Sequence, residues 1–196
     1  MKARMLALSV LLAVFSLTGS SFAADTRFIP ITIGQTFEFA VSDNNPSTPD
    51  WTENIAVSGL AQIPPSLLYY TLDQKGQGES RLIGIRSTAA DVRQYDGFGK
   101  EYIIWKKAAV GTVWSYIENS GQKIQRKIEA IENVTVPAGT FTNCLKIHNK
   151  CANCSGVTDW YEWVKPGFMM VKWVDYWADN APVTHRLKSW TAPAAP

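Results

Sequence analysis

The sequence predicts a mainly β protein, with a single antiparallel, strongly curved sheet that resembles an unclosed barrel and leaves room for one short helix. Three observations support this fold class. Apolar and polar residues alternate with a period of two along most of the chain after residue 24. Turn-forming residues recur roughly every 8–15 positions, a spacing typical of antiparallel sheets, barrels and sandwiches. The eight tryptophans supply large apolar side chains for one core.

The first 23 residues predict a cleavable secretory signal. Lys2 and Arg4 precede a 13-residue apolar run, Met5–Leu17, and Ser21 and Ala23 fit the small-residue positions before the cleavage point. The run is shorter than the ~20 apolar residues that a membrane-spanning helix needs. We therefore expect cleavage before residue 24 and a single β-rich domain over residues 24–196.

The processed chain is expected to carry no net charge. Residues 1–23 contain two of the 19 basic residues and none of the 17 acidic ones, which leaves 17 of each. An evenly mixed surface gives no electrostatic footprint for nucleic acid. Ser20 stands where a lipoprotein signal needs a lipid-accepting cysteine, and no later run approaches transmembrane length. These features predict a soluble periplasmic or secreted protein.

The predicted strands follow from alternation between turn residues. Ser42–Asp50 is a loop by its Asn and Pro content, Pro64-Pro65 interrupts the chain, and Gln74–Gly78 is a turn. Ser66–Leu72 is compatible with a strand or a helical turn. The other segments predicted as strands are Ile31–Val41, Trp51–Val57, Arg81–Arg86, Val92–Tyr95, Tyr102–Lys106, Val110–Glu118, Lys123–Val136, Phe141–His148, Val157–Val164, Met169–Trp177 and Val183–Trp190.

Two segments share one pattern. Ile33-Gly34-x-x-Phe37-x-Phe39 matches Val110-Gly111-x-x-Trp114-x-Tyr116, in which a glycine that turns the chain precedes two aromatic residues on one strand face. Each segment is followed by a second predicted strand. A duplicated hairpin is one interpretation, and chance repetition is the other.

The segment from residue 134 to residue 177 can be paired in detail. In Lys165-Pro166-Gly167-Phe168, Pro at the second and Gly at the third position favour a type II turn. A two-residue hairpin loop then pairs Val164 with Met169, and a preceding loop over Lys150–Ser155 pairs Lys146 with Asp159. One face of this register is apolar and is expected to be core: Phe141, Leu145, Ile147, Trp160, Val164, Met169, Val171 and Trp173.

The opposite face mixes aromatic and charged side chains. Two interpretations stay open for Tyr161, Trp163 and Met170: they pack beneath another layer, or they line an apolar ligand cavity. Glu162 falls on the apolar face, either as a hydrogen-bonded carboxylate at the sheet rim or as a desolvated carboxylate in a ligand cavity. These four residues are the candidate ligand-binding residues. The full mixed face is Lys146, His148, Asp159, Tyr161, Trp163, Met170 and Lys172.

The three cysteines are Cys144, Cys151 and Cys154. Cys151 and Cys154 are spaced as the ends of a β-turn, whose Cα atoms lie within ~7 Å, so we expect them to form a disulfide in an oxidising compartment. Free thiols, or a metal or redox site that includes His148, are the alternatives. Cys144 and His148 would lie ~13 Å apart along one strand, which disfavours a shared ion. Cys144 is expected to be a small buried side chain.

Common catalytic motifs are missing from the sequence. It contains no G-x-S-x-G, H-E-x-x-H, P-loop or G-x-G-x-x-G, and Ser155 follows Cys154 where a c-type haem site needs His. No catalytic residue, metal site or cofactor is therefore predicted. His185 is expected at the surface, and a hydrolase that uses carboxylates such as Asp159 or Glu162 stays open.

Two motifs carry a family resemblance. They are Val136-Pro137-Ala138-Gly139-Thr140-Phe141 with Cys144-Leu145-Lys146-Ile147, and Trp163-x-x-Pro166-Gly167-x-x-x-Val171-Lys172. Together they resemble a broad group of uncharacterised bacterial exported β-rich proteins, which are distantly similar to the half-barrels of LolA/LolB-type lipoprotein carriers. Met169 replaces the second glycine of the group's hairpin. The resemblance implies a curved sheet with a concave apolar side and brings no catalytic residues.

The leading functional hypothesis is an exported periplasmic protein that binds a hydrophobic small molecule, a lipid or an envelope protein without catalysing a reaction. The first alternative is a thiol- or metal-binding module at Cys151 and Cys154. The second is a carboxylate-dependent envelope hydrolase.

Overall fold

The computed structural model describes residues 25–43, 45–63, 67–76, 79–95, 97–177 and 181–193. The predicted signal with its cleavage point, the Pro64-Pro65 break and the end of the tail lie outside the described residues. Within them, no helix has the length and apolar character to cross a membrane. The strands are β1 Thr36–Ser42, β2 Trp51–Ile63, β3 Leu67–Gly76, β4 Glu79–Ser87, β5 Asp91–Tyr95, β6 Glu101–Lys106, β7 Val113–Ile117, β8 Lys123–Val136, β9 Gly139–Cys151, β10 Val157–Val164, β11 Met170–Trp177 and β12 Val183–Thr191.

These strands form one antiparallel sheet that is nearly closed into a barrel, which confirms the predicted fold class. The order is β6-β5-β4-β3-β2-β1-β12-β11-β10-β9-β8-β7, so each half of the chain is a six-stranded meander. The first and last strands pair with each other in the middle of the sheet. The described part of the chain contains no helix, and the segment left open between strand and helical turn is strand β3 from Leu67 onward.

The barrel has an unsealed seam between β6 and β7, which are the two edges of the sheet. Side chains bridge it. Trp114 Nε1 donates to the carbonyl of Ile103 at 2.9 Å, and Arg126 Nη1 donates to the carbonyl of Ile104 at 2.9 Å. These bonds occupy carbonyl groups of an edge strand that would otherwise be open to another strand.

The segment before β1 closes one end of the barrel. Phe28 N donates to Thr88 O at 2.6 Å and Gly167 N donates to Phe28 O at 2.8 Å, which ties together the turns after β4 and β10. Phe28, Ile29 and Ile31 are buried. The prediction that a strand begins at Ile31 is therefore wrong, because this apolar segment crosses the barrel end instead of joining the sheet.

The two glycine-led segments have the same geometry. Gly34 and Gly111 adopt φ of 88° and 91°. Gly34 N donates to Val57 O, and the carbonyl of the next residue accepts from Val57 N, both at 2.9 Å; Gly111 makes the same two bonds with Ile128 at 2.8 and 3.0 Å. Each glycine thus turns the chain into a strand whose aromatic side chains enter the core, among them Phe37, Phe39 and Trp114.

The predicted turn at Pro166-Gly167 is correct, but the predicted pairing is shifted. Phe168 N donates to Lys165 O at 3.0 Å, and Gly167 has a φ of 77°, as a type II turn requires. Val164 pairs with Met170 instead of Met169, next to a register irregularity in β10. Glu162 pairs with Trp173, two positions beyond its expected partner Val171, and Lys146 pairs with Trp163 instead of Asp159. The shifts of Glu162 and Lys146 are even, so these two side chains stay on their predicted faces.

The apolar face is core, as predicted. Its members Leu145, Ile147, Val164, Met169, Val171 and Trp173 are buried, while Phe141 and Trp160 are half-buried. The predicted turn over Gln74–Gly78 is wrong in part, because β3 continues to Gly76.

Candidate ligand cleft at the barrel seam

The four candidate ligand-binding residues lie on two faces of the sheet. Tyr161 and Trp163 point away from the barrel interior, on the face that also carries Lys146 and Lys172. Glu162 lies between them in β10 and points inward. As the sequence predicts, the carboxylate lies on the face of the sheet opposite to the two aromatic residues.

The outer aromatic residues are covered by their own neighbours. Lys146 Nζ lies 4.8 Å from the Tyr161 ring centroid and 5.7 Å from that of Trp163, and Lys172 Nζ lies 4.4 Å from the Trp163 centroid. Trp163 Nε1 donates to Glu132 at 2.5 Å, and Trp163 is only 8% exposed. Burial lowers the pKa of Lys172, and the nearby cations act in the same direction. These cation–π contacts leave little of the Trp163 ring open to a ligand.

His148 and Asp159 belong to this outer face as well. The imidazole stacks on Tyr161 with centroids 4.4 Å apart, and its two nitrogens contact Glu129 at 3.0 Å and Asp159 at 2.6 Å. Each carboxylate is thus engaged by the imidazole. His148 therefore lies between two carboxylates, and this arrangement differs from that of a general base beside a hydroxyl nucleophile.

Inside the barrel, Glu162 forms a buried ion pair. Its Oε2 lies 2.9 Å from Arg126 Nη1 and accepts from Trp105 Nε1 at 2.7 Å, while Oε1 accepts from Trp160 Nε1 at 2.9 Å. Arg126 is also hydrogen-bonded to Tyr116 Oη at 3.2 Å. Burial opposes the charge on Arg126, but Glu162 and Tyr116 outweigh it and raise the pKa of the guanidinium. The negative charge of Glu162 is therefore balanced by Arg126 inside the barrel.

A second buried polar cluster surrounds His185. Its Nδ1 lies 3.0 Å from Glu53, its Nε2 lies 3.5 Å from Asp175, and its ring stacks on Trp173 with centroids 3.9 Å apart. Gln74 donates to Glu53. Burial opposes the imidazolium, but the two carboxylates outweigh it and raise the pKa of His185. The expectation that His185 lies at the surface is wrong, because the acids from β2 and β11 let a cation sit inside.

The cysteines occupy two separate places. The sulfur atoms of Cys151 and Cys154 lie at bonding distance, with Cα atoms 5.6 Å apart. Cys144 is a free buried thiol, and burial raises its pKa to about 11. Among the described residues, no group of three or more His, Cys, Asp or Glu side chains is arranged to hold a metal ion.

A cleft of about 440 Å³ opens beside the seam. One wall comes from β4 to β6 and the loop before β6, where Leu82, Tyr95, Phe98 and Tyr102 line it. The facing wall is the turn between β7 and β8, residues 118–120. The hydroxyl of Tyr102 accepts from Asn119 N at 3.1 Å, which links the two walls across the seam.

An ion-pair network stiffens the first wall. Glu101 at the start of β6 accepts from Arg86 at 2.7 Å, from Arg93 at 2.9 Å and from the hydroxyl of Tyr69 at 2.7 Å. Burial opposes the charge on Glu101, but these three donors outweigh it and lower the pKa of the carboxyl. Burial and the neighbouring carboxylate raise the pKa of Tyr69 to about 12. The network ties β3, β4, β5 and β6 together.

Most of this cleft could not be predicted from the sequence, because its lining residues come from several strands and two turns. One local pattern does point to it. Phe98 stands between Gly97 and Gly99, both with positive φ, and is 82% exposed. A large, exposed aromatic side chain in a loop between two strands is an indication of a binding loop.

Residues 114–184 match a family model described as DUF3108-like. The match covers just over one third of the chain and runs from β7 into β12. It contains both motifs noted in the sequence, the segment 136–147 and the segment 163–172. A search of curated proteins finds no match.

Two solved structures share the fold. One is a candidate exported protein with a YmcC-like fold from Bacteroides fragilis, with a TM-score of 0.55 and 13% identity, covering 85% of this chain and 99% of its own. The other is a candidate lipoprotein from Parabacteroides distasonis, with a TM-score of 0.52 and 15% identity at the same coverage. At these identities the likeness shows the fold alone. The narrower similarity to LolA/LolB-type carriers stays a prediction.

Proposed function

We propose that this is an exported, non-enzymatic binding protein that takes a hydrophobic or amphipathic small molecule, such as a lipid, in the seam cleft. The cleft itself carries the proposal. Its volume of about 440 Å³ lies within the ~300–1,000 Å³ range of ligand pockets. Its lining combines aliphatic and aromatic side chains with a few polar groups, which is the usual composition of such sites.

Exposed apolar side chains support an apolar ligand. Leu82 is 70% exposed and Phe98 is 82% exposed. Covering them with an apolar ligand would be favourable by roughly 25 cal/mol per Å² removed from water. Glu118 and Ser120 place polar groups at the facing wall, which suits a ligand with one polar end.

The proposed location is outside the cytoplasm, in the periplasm or beyond. The predicted secretory signal supports it, and so does a cysteine pair at bonding distance, since disulfides persist in oxidising compartments. The two fold neighbours are described as a candidate exported protein and a candidate lipoprotein.

The two alternative functions have less support from the geometry. The carboxylates of Asp159 and Glu162 each have a cationic or imidazole partner, and they lie on opposite faces of β10. The sulfur atoms of Cys151 and Cys154 lie at bonding distance from each other, and a disulfide has no thiol to bind a metal ion. Tyr161, Trp163 and Met170 stay a predicted contact surface for a ligand or an envelope partner, and the experiment below probes this surface with a variant of Tyr161.

The test is titration with a fluorescent fatty acid of the protein purified from a bacterial periplasm. We expect saturable one-to-one binding that unlabelled fatty acid displaces. Leu82→Asp should raise the Kd about tenfold, since it replaces an apolar contact by a charge in the cleft wall. Native mass spectrometry of the freshly purified protein should show a bound lipid.

Two variants complete the test. Ile131→Asp changes an aliphatic side chain of similar kind, 52% exposed and outside the cleft lining, and should keep the wild-type Kd. Tyr161→Ala probes the outer face. If Tyr161→Ala abolishes binding while Leu82→Asp does not, the site is on the outer face and the cleft is excluded. If the probe is not displaceable from the wild-type protein, the proposed function is wrong.

A further inference from the structure

We propose that a disulfide between Cys151 and Cys154 positions one wall of the seam cleft through Asn153, so that ligand binding depends on the redox state of this pair. The inference rests on the function proposed above, because it concerns the affinity of the same cleft. It names Asn153 as a positioning residue, which acts through the turn between β7 and β8.

Asn153 fastens the loop after β9 to that turn. Its Nδ2 donates to the carbonyl of Gly121 at 3.0 Å, and its Oδ1 accepts from Lys123 N at 2.9 Å. Ala152 N adds a third bond to Lys123 O at 3.0 Å. The side-chain amide thereby continues the β8–β9 pairing beyond the last paired residues, Ile124 and Cys151.

The fastened turn forms a wall of the cleft. Gly121 N donates to Glu118 O at 2.9 Å, so Gly121 closes the turn whose residues 118–120 face the cleft. On the other side, Asn119 N donates to the hydroxyl of Tyr102 at 3.1 Å. The turn is therefore held from two directions, by Tyr102 across the seam and by Asn153 from the neighbouring hairpin.

A disulfide at this position would fix Asn153 in place. Asn153 lies between the two cysteines, whose Cα atoms are 5.6 Å apart. Both amide hydrogen bonds of Asn153 are exposed to solvent, so water competes for the same atoms. A cross-link over two intervening residues restricts the conformations that this short loop can adopt and keeps the amide aligned.

Reduction would release this support. A dithiol reductant attacks the disulfide, first forms a mixed disulfide and then closes to its own cyclic disulfide. Cys151 and Cys154 gain two electrons and two protons from the dithiol and become thiols, so the exchange is balanced. The Asn153 contacts then depend on a loop without a cross-link, and the wall at 118–120 loses the support that Asn153 provides.

The experiment compares oxidised and dithiothreitol-reduced wild-type protein with two variants. Asn153→Ala keeps both cysteines and removes the amide. Cys151→Ser/Cys154→Ser removes the cross-link and serves as the control that dithiothreitol cannot change. The readouts are the Kd for the fluorescent fatty acid, amide hydrogen exchange of residues 118–123, and circular dichroism at the same temperature.

We expect reduction to raise the Kd about fivefold or more and to speed amide exchange in residues 118–123 by a similar factor. Reoxidation should reverse both changes. The circular dichroism spectrum should stay unchanged throughout. Oxidised Asn153→Ala should reproduce both effects. If the wild type binds the probe and neither reduction nor Asn153→Ala changes the Kd or the exchange, this inference is wrong and the proposed function stands. If the wild type binds no probe, the proposed function is wrong, and unchanged exchange on reduction would reject the structural coupling as well.

Discussion

His185 shows how neighbours decide the chemistry of a side chain. Its sequence context, between Thr184 and Arg186 near the end of the chain, favours an exposed residue. In the structure it is 8% exposed, stacks on Trp173 and lies between Glu53 and Asp175. The two acids come from β2 and β11, so no local pattern around His185 could reveal them.

This cluster makes stability depend on pH with a definite sign. The folded-state pKa of His185 lies above its ordinary value of ~6.5, so the stabilisation is fully present below about pH 6.5 and is lost as pH rises through the raised pKa. Urea unfolding between pH 6 and pH 9 should show wild type and His185→Gln converging in free energy of unfolding as pH rises. A difference in free energy of unfolding between the two proteins that increases with pH would contradict this explanation.

Two other residue-level predictions depended only on spacing along the chain, and both agree with the structure. The Cys151–Cys154 spacing matches a Cα separation of 5.6 Å. The position of Glu162 on the inner face was correct because period-two alternation fixes the face of every strand residue. Its partner Arg126 is 36 residues earlier in the chain, and alternation contains no information on such a contact.

At the level of elements, the two glycine-led hairpins are the clearest repeated unit. Gly34 and Gly111 share a positive φ and an identical pair of backbone hydrogen bonds to the next strand. An added Cβ at Gly111 would meet nothing within 4 Å, and at Gly34 only ordinary contacts with Pro193. The need for glycine at both positions is therefore conformational, not steric.

Gly111→Ala should destabilise the protein by about 1–2 kcal/mol, because an L-residue with a Cβ is strained at this φ. Gly34→Ala should cost a similar amount, since the two turns are alike. Gly111→Asn should cost less, because Asn tolerates positive φ better. Thermal unfolding followed by circular dichroism measures all three. A loss for Gly111→Asn as large as that for Gly111→Ala would contradict this explanation.

The strands themselves were predictable, but their exact pairing was not. The predicted bounds of β8 and β10 match the structure because turn residues delimit both ends. The β10–β11 register is shifted because Lys165 and Met169 also belong to the connection, where Lys165 N donates to Met169 O at 2.8 Å. The composition of a loop predicts that the chain turns there. It does not predict the number of residues in the turn, because that number depends on the backbone hydrogen bonds that close it.

At the level of the whole molecule, Arg126 connects the interior with the seam. It comes from β8, pairs with Glu162 on β10 and donates to the carbonyl of Ile104 on β6. One side chain therefore links the two edges of an almost closed sheet through its buried core. The β1–β12 pairing could not be predicted from alternation, because it joins residues more than 100 positions apart. The barrel closure could not be predicted either, because it depends on side chains of Trp114 and Arg126 that donate to β6, and alternation does not specify such partners.

Arg126→Met should reduce the free energy of unfolding by about 3–5 kcal/mol, because it leaves the Glu162 carboxylate buried without a cation. Urea denaturation at pH 7 measures the loss. Lys188→Met is a suitable control, since Lys188 pairs with Glu38 on the exposed surface and its removal should have little effect. A small loss for Arg126→Met would show that the pair is accessible to water.

The pairing of β1 with β12 has a consequence for biosynthesis. A ribosome or a translocase delivers the chain from its amino terminus, so the free edge of β1 has no partner until residues 183–191 emerge. Until then the first meander exposes an edge strand to any other extended chain, which is a risk of aggregation. The protein should thus require a holding chaperone during passage, and fusions that delay release of its last strand should lower the yield of folded product.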